Sequence, residues 1–327
     1  MPAGAPRGGD TIPVCVTGAR PFIIRPPMKP SPVISRIKFE GLDAIELRTP
    51  LLRAVAITAK GPRLAFFGRP DGPNLLLWAP GQYRRGRWDL MGGHRLWAAR
   101  PGADEAEETY ATDNQPCKVA VHANGFTVTG ALDAVQQIRR GFTVTAAADG
   151  RITLDHFLRN EGDMLWSGGL WALTCTRPSK RSTYTLPLGD GSSWDYATIV
   201  AFRTWGGGHG GVGFDDPQFQ FTADALVLHP SGRENKRMVK ADAGVIAWHD
   251  PAQKLLFAIH AAHVPEGNYP LGTNLALYVG PKNFMVEMET MGPSATLKPG
   301  QTLKHRETWL LATAKSAPSA KALRELF

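Results

Sequence analysis

Residues 283–311 read NFMVEMETMGPSATLKPGQTLKHRETWLL, and this stretch decides the fold class. Between Phe284 and Thr290 the side chains follow a period of two. Met285, Glu287 and Glu289 fall on one face, with Val286 and Met288 on the other. Pro299-Gly300 is a turn signal, and Lys304–Ala312 reads as a further strand beyond it. Two carboxylates on one sheet face stand either both in a polar cleft or both in solvent, and the alternation alone leaves that open.

Outward from this stretch the same grammar continues. Short β-branched and aromatic runs, such as Arg63–Phe67, Phe142–Ala147, Arg151–Leu158 and Leu170–Thr176, alternate with Gly, Pro, Asn and Asp. Asn124-Gly125 and Asp149-Gly150 are two-residue hairpin signals, and Asn160–Asp163 is a longer turn. Only Ser319–Phe327 reads as a helix. Roughly eighteen strands suit a large sandwich or a propeller. No 40–50-residue repeat supports a propeller, so a sandwich is expected. No linker interrupts the chain between 37 and 320, which predicts a single domain over 34–327. Residues 1–33, rich in Pro, Gly and Arg, read as a flexible tail, with Met28 an alternative start.

Composition narrows the function classes. The 327 residues are 43% hydrophobic and 20% charged, which is ordinary for a globular chain able to bury a sizeable core. Half of the net charge of +8 lies in the first forty residues. The remaining basic residues are scattered apart from Arg84-Arg85 and Lys236-Arg237, which points to a solvated surface and not to nucleic acid. Cys15, Cys117 and Cys175 are too few and too widely spaced for a disulfide framework or a zinc site, and no metal is expected. Reduced thiols, no signal-peptide core and no 18-residue apolar run predict a cytoplasmic protein with no membrane partner. Neither a Gly-x-Ser-x-Gly elbow nor a His-Glu-x-x-His helix is present. The glycine run from Trp205 to His209 lacks the ending of a phosphate loop and reads as a loop closing over a cleft.

Several segments in order resemble one family. GPRLAFFGRPDGPNLLLW (61–78), GGHRLWAARP (92–101), DHFLRNEGD (155–163) with GGLWALT (168–174), and the 283–311 stretch are similar to pieces of the aldose 1-epimerase (galactose mutarotase) superfamily. Over about 50–315 the chain resembles its uncharacterised mutarotase-like branch. The resemblance implies an all-β, galactose-mutarotase-like supersandwich with little helix. It also implies a cleft for a small-molecule sugar or sugar derivative, and chemistry that needs no cofactor. Mutarotation requires a base at the anomeric hydroxyl and an acid at the ring oxygen. In the family a glutamate is the base, which maps onto Glu289, with Glu287 beside it. The family's acid is a histidine on a central strand, and its counterpart segment here, Gly168–Thr174, holds none. A substitute acid would come from His94, His260 or His263, with His94 preferred. The alternative is a non-catalytic carbohydrate-binding protein using the same cleft.

GGHRLW (92–97) is the most suggestive segment. Its glycines would let the backbone approach a ligand, Arg95 offers a donor fork and Trp97 a flat face for a pyranose. The plainer reading is a glycine turn with Arg95 at the surface and Trp97 in the core. Trp171 is either a sugar platform or core. The loop Glu266–Pro270 offers Tyr269, and a lyase reading would need Tyr110 or Tyr269 as base near Arg95.

Overall fold

The computed structural model describes residues 22–23, 32–85, 88–100, 110–189, 197–201 and 214–327. The expected tail falls mostly outside these residues, as does the Trp205–His209 loop. Phe22–Ile23, inside the expected tail, forms a short strand against Thr313 and Ala314.

The described strands form two large antiparallel sheets and a separate two-stranded pair, Arg84–Arg85 with Trp88–Asp89. One runs, edge to edge, through Phe219–Phe221, Ala225–Leu228, Thr183–Pro187, Val245–Asp250, Leu255–His260, Thr302–Ala314, Ile152–Asn160, Ile138–Ala146, Gly125–Asp133 and Lys118–His122. The other runs through Ala197–Ala201, Asn235–Ala241, Leu275–Val279, Val286–Met291, Trp166–Thr176, His94–Ala99, Arg63–Gly68, Arg53–Ile57, Leu42–Arg48 and Val33–Phe39. A sandwich, and not a propeller, is what the alternation builds. In Ile152–Asn160 the residues Ile152, Leu154, His156 and Leu158 are buried, while Thr153, Asp155 and Phe157 are less so. One face of each such strand meets the other sheet. The main core lies between the sheets and includes Phe67, Phe126, Phe142, Trp248, Phe257, Met288 and Trp309. Phe67, Phe257 and Trp309 form a triangle of rings with centroids 5.0–5.2 Å apart.

The two hairpin signals fold differently from their sequence reading. Gly125 pairs with His122, so the turn residues are Ala123 and Asn124, and Gly125 belongs to the strand. A Cβ on Gly125 would lie 1.9 Å from the Val144 carbonyl oxygen, so the glycine serves close strand approach. At Asp149-Gly150 the loop has three residues. Ala147 accepts from the Gly150 N–H and donates to Arg151, and Gly150 has φ 84°. The strands' twist is met by a three-residue loop ending in a left-handed residue. The C-terminal helix is Ala320–Arg324, with the Ser319 hydroxyl accepting from Ala322 N–H as N-cap.

Candidate functional site

Register fixes which side chains meet. On Trp166–Thr176, Trp171 stands opposite Trp97 and Met291, Leu173 opposite Arg95 and Glu289, and Cys175 opposite Glu287. Glu289 stands opposite Ala276, and Glu287 opposite Tyr278, which in turn faces Lys236. Paired residues share a face. Arg95, Trp97, Trp171, Glu287 and Glu289 therefore gather on the side of this sheet that faces away from the main core.

The polar groups there are mutually engaged. Arg95 Nη2 donates to Glu287 Oε1 at 2.8 Å, and its Nη1 lies 3.0 Å from Cys175 Sγ. The Arg95 guanidinium sits 4.4 Å from the Trp97 ring centroid. Lys236 Nζ and Trp171 Nε1 each donate to Glu289 Oε2 at 2.7 Å, and the Lys236 ammonium lies 4.4 Å from the Trp171 ring. Glu289 Oε1, also buried, accepts no hydrogen bond among the described residues. Burial pushes the Glu289 carboxyl above its ordinary range; Lys236 opposes this and Glu287 reinforces it. Burial likewise pushes the Cys175 thiol up to about 12, so it is neutral. The result is a carboxylate held rigidly through one oxygen with the other left to accept.

Aromatic rings flank this carboxylate. Trp97 stacks on Tyr110 at 3.9 Å and meets Trp171 edge-on at 5.6 Å, and Trp88 lies 5.8 Å from both Trp97 and Tyr110. Trp97 Nε1 donates to Asp113, a buried carboxylate that also lies 3.8 Å from Arg63 and 3.6 Å from Arg140. Trp171 and Trp88 remain half-buried, whereas Trp97 is buried. Met238, Ala276 and Met291 form an apolar floor against Trp171.

His94 does not join this face. It starts the strand that carries Arg95, so the period of two turns it into the sandwich, where it is fully buried. Its Nε2 lies 2.7 Å from His156 Nε2 and its ring contacts Phe142 and Trp309. The expected rim position is corrected by this burial, and Gly92 and Gly93 lie close against the Leu77 and Leu64 carbonyls. Around His94 stand His156, His305, Thr290 and Glu307, and burial drives all three imidazoles below their ordinary range, His156 to about 3 and His305 to about 4. Burial raises the Glu307 carboxyl to about 7.

His260 lies on the other sheet, half-buried and stacked on Phe327 at 5.0 Å. Tyr269 accepts from the Val264 N–H and stacks on His263, closing its own loop; His263 pairs with Asp242 at 3.1 Å. Neither His260 nor Tyr269 contacts Glu289 through these bonds. The sequence reading missed Lys236, placed with the solvated charges although it is 2% exposed, and also Cys175, Trp88 and Met238. The signal was present: in NKRMVKA the period of two puts Lys236 and Met238 on one face.

No family model matches the chain, and no curated protein matches its sequence. Solved structures match it in fold. A putative mutarotase from Salmonella typhimurium is 14% identical, with 89% of this chain and 97% of that one covered at a TM-score of 0.56. A putative aldose 1-epimerase from Escherichia coli K12 is 11% identical, covering 81% and 97% at 0.55. A TPR-domain containing protein from Parabacteroides distasonis is 13% identical over 86% of this chain at 0.54, and the chain spans 48% of that protein's length. No helix of the described residues is long and apolar enough to cross a membrane. With two antiparallel sheets in face-to-face layers and these structural neighbours, the chain has the all-β fold of the galactose mutarotase-like proteins.

Proposed function

We propose that the outward face around Glu289 binds a sugar, with Glu289 receiving the proton of the anomeric hydroxyl as in an aldose 1-epimerase. The observation that carries this reading is the buried, unpartnered Oε1 of a carboxylate whose other oxygen is fixed by Lys236 and Trp171. A sugar hydroxyl is a donor that would satisfy it, and the half-buried indoles of Trp171 and Trp88, unlike the covered ring of Trp97, offer apolar surface of the kind a pyranose packs on. Burial supports the chemistry too, because a carboxylate of raised basicity is a better base near neutral pH. The single domain expected over 34–327 supplies all the strands of this site.

A second reading, binding without turnover, is favoured by one observation. His94 points into the sandwich, away from Glu289, so the pair expected to act as acid and base does not share a face. Polarimetry or NMR exchange on a panel of aldoses, with wild type and Glu289→Gln, separates the two. Faster anomer interconversion with wild type, falling at least about 100-fold in the variant, supports epimerase chemistry. Equal rates with retained binding by titration calorimetry support the second reading. Absence of binding to every sugar, with both proteins folded, removes both.

A further inference from the structure

The sandwich interior holds a second constellation that the sugar site does not use. His94 comes from one sheet, while His156 and Glu307 come from adjacent strands of the other. The ligand atoms of the three lie within 4.8 Å of one another, and all three side chains are buried. We propose that His94, His156 and Glu307 form a structural site for a divalent transition-metal ion, zinc by ligand chemistry, that ties the two sheets together.

The hydrogen bonds orient the donors for this. His156 Nδ1 lies 3.1 Å from the His305 carbonyl, which only accepts, so Nδ1 carries the proton and the neutral ring's lone pair sits on Nε2. That lone pair faces His94 Nε2 at 2.7 Å. His94 Nδ1 is held 2.9 Å from Thr174 Oγ1, which can accept its proton and leave a second lone pair on Nε2. In that tautomer the two lone pairs face each other, an arrangement that a metal ion between them relieves; the apo alternative is Thr174 donating to Nδ1 and a neutral Nε2–H···Nε2 bond from His94 to His156. Glu307 stands beside this pair with its carboxylate oriented. Its Oε1 accepts from Thr290 and its Oε2 from Trp309 Nε1 at 2.8 Å. Among the described residues no lysine or arginine pairs with it, and its one ion-pair contact is His94 Nε2 at 4.0 Å. Buried carboxylates are ordinarily paired or metal-bound. Hydrogen bonds to the far nitrogen of each histidine and to the carboxylate are the usual support of metal ligands.

Imidazole and carboxylate donors suit zinc, with bonds of about 2.0–2.2 Å. Seating the ion needs the two Nε2 atoms to separate from 2.7 Å to roughly 3.4 Å, the span of a tetrahedral angle at those bond lengths. Because the site is sealed, the ion must enter during folding.

The full chain is unfolded in denaturant and refolded with zinc, with cobalt, or with chelator, then dialysed. The expected result is about one zinc per chain by mass spectrometry, a higher melting midpoint than the chelator sample, and cobalt visible bands of a low-symmetry nitrogen and oxygen site. His156→Gln and Glu307→Gln should lose the tightly held metal and the bands. Background metal in wild type with equal midpoints overturns the proposal, as does metal retained in folded His156→Gln, which would mark binding elsewhere. If the variants do not fold, the wild-type cobalt spectrum decides, its absence overturning the site.

Discussion

Lys236 and Glu289 show how one ion pair shapes the site. Both are buried, so removing the cation leaves an uncompensated charge. Lys236→Met should destabilise the fold by about 3–5 kcal/mol at neutral pH, measured by urea unfolding. The pH dependence has a definite sign. Burial, the largest cause, holds the Glu289 carboxyl above 4.5, the ordinary value. A raised acid contributes stability below its unfolded value and loses it as pH rises through the folded value. Glu289→Gln cannot ionise, so its stability relative to wild type should climb as pH is raised from 4.5 toward neutrality. A stability difference independent of pH over that interval would contradict this. The facing of Glu287 and Glu289 was legible from the period of two, and so was the error at His94. Neighbours in a strand point oppositely, so His94 and Arg95 could not both line one cleft once that segment is extended. Its two glycines suggested a loop, and the close approach of neighbouring carbonyls is what they serve.

Strands and turns carried a second kind of information. The hairpin at residues 122–125 was read one residue late, because an Asn-Gly pair is a turn signal by composition while register is set by the partner strand. Gly125→Ala tests this directly. The added methyl meets the Val144 carbonyl, and a cost of about 1–3 kcal/mol is expected, against little effect from Asn124→Ala. The terminal helix was legible because Ser319 is an N-cap ahead of spaced leucines. Its five residues have little intrinsic stability, and Leu323 and Leu326 pack on Val245, Leu256 and Leu310. Ser319→Ala should lower the melting midpoint, corresponding to about 1 kcal/mol. The role of Lys236 was not legible at this scale, since a Lys-Arg pair in isolation is the usual mark of a wet surface.

At the scale of the molecule, stability resides in the layer between the sheets. Phe257 touches both Phe67 from the opposite sheet and Trp309 beside it, so Phe257→Ala should cost about 3–5 kcal/mol by chemical denaturation. The sandwich was readable because alternation and turn spacing are local, whereas strand order is not: Val286–Met291 and Trp166–Thr176 pair across more than a hundred residues. The same long-range pairing explains why the shared face of Glu287 and Glu289 could be read but not the lysine that joins them. One contact has a practical bearing. Phe22–Ile23 caps a flank of the longest strand at Thr313 and Ala314, where backbone groups would otherwise stand open. A polypeptide started at Met28 would lack that cover and present a naked strand margin, so such a product should self-associate more readily than the longer one at equal concentration.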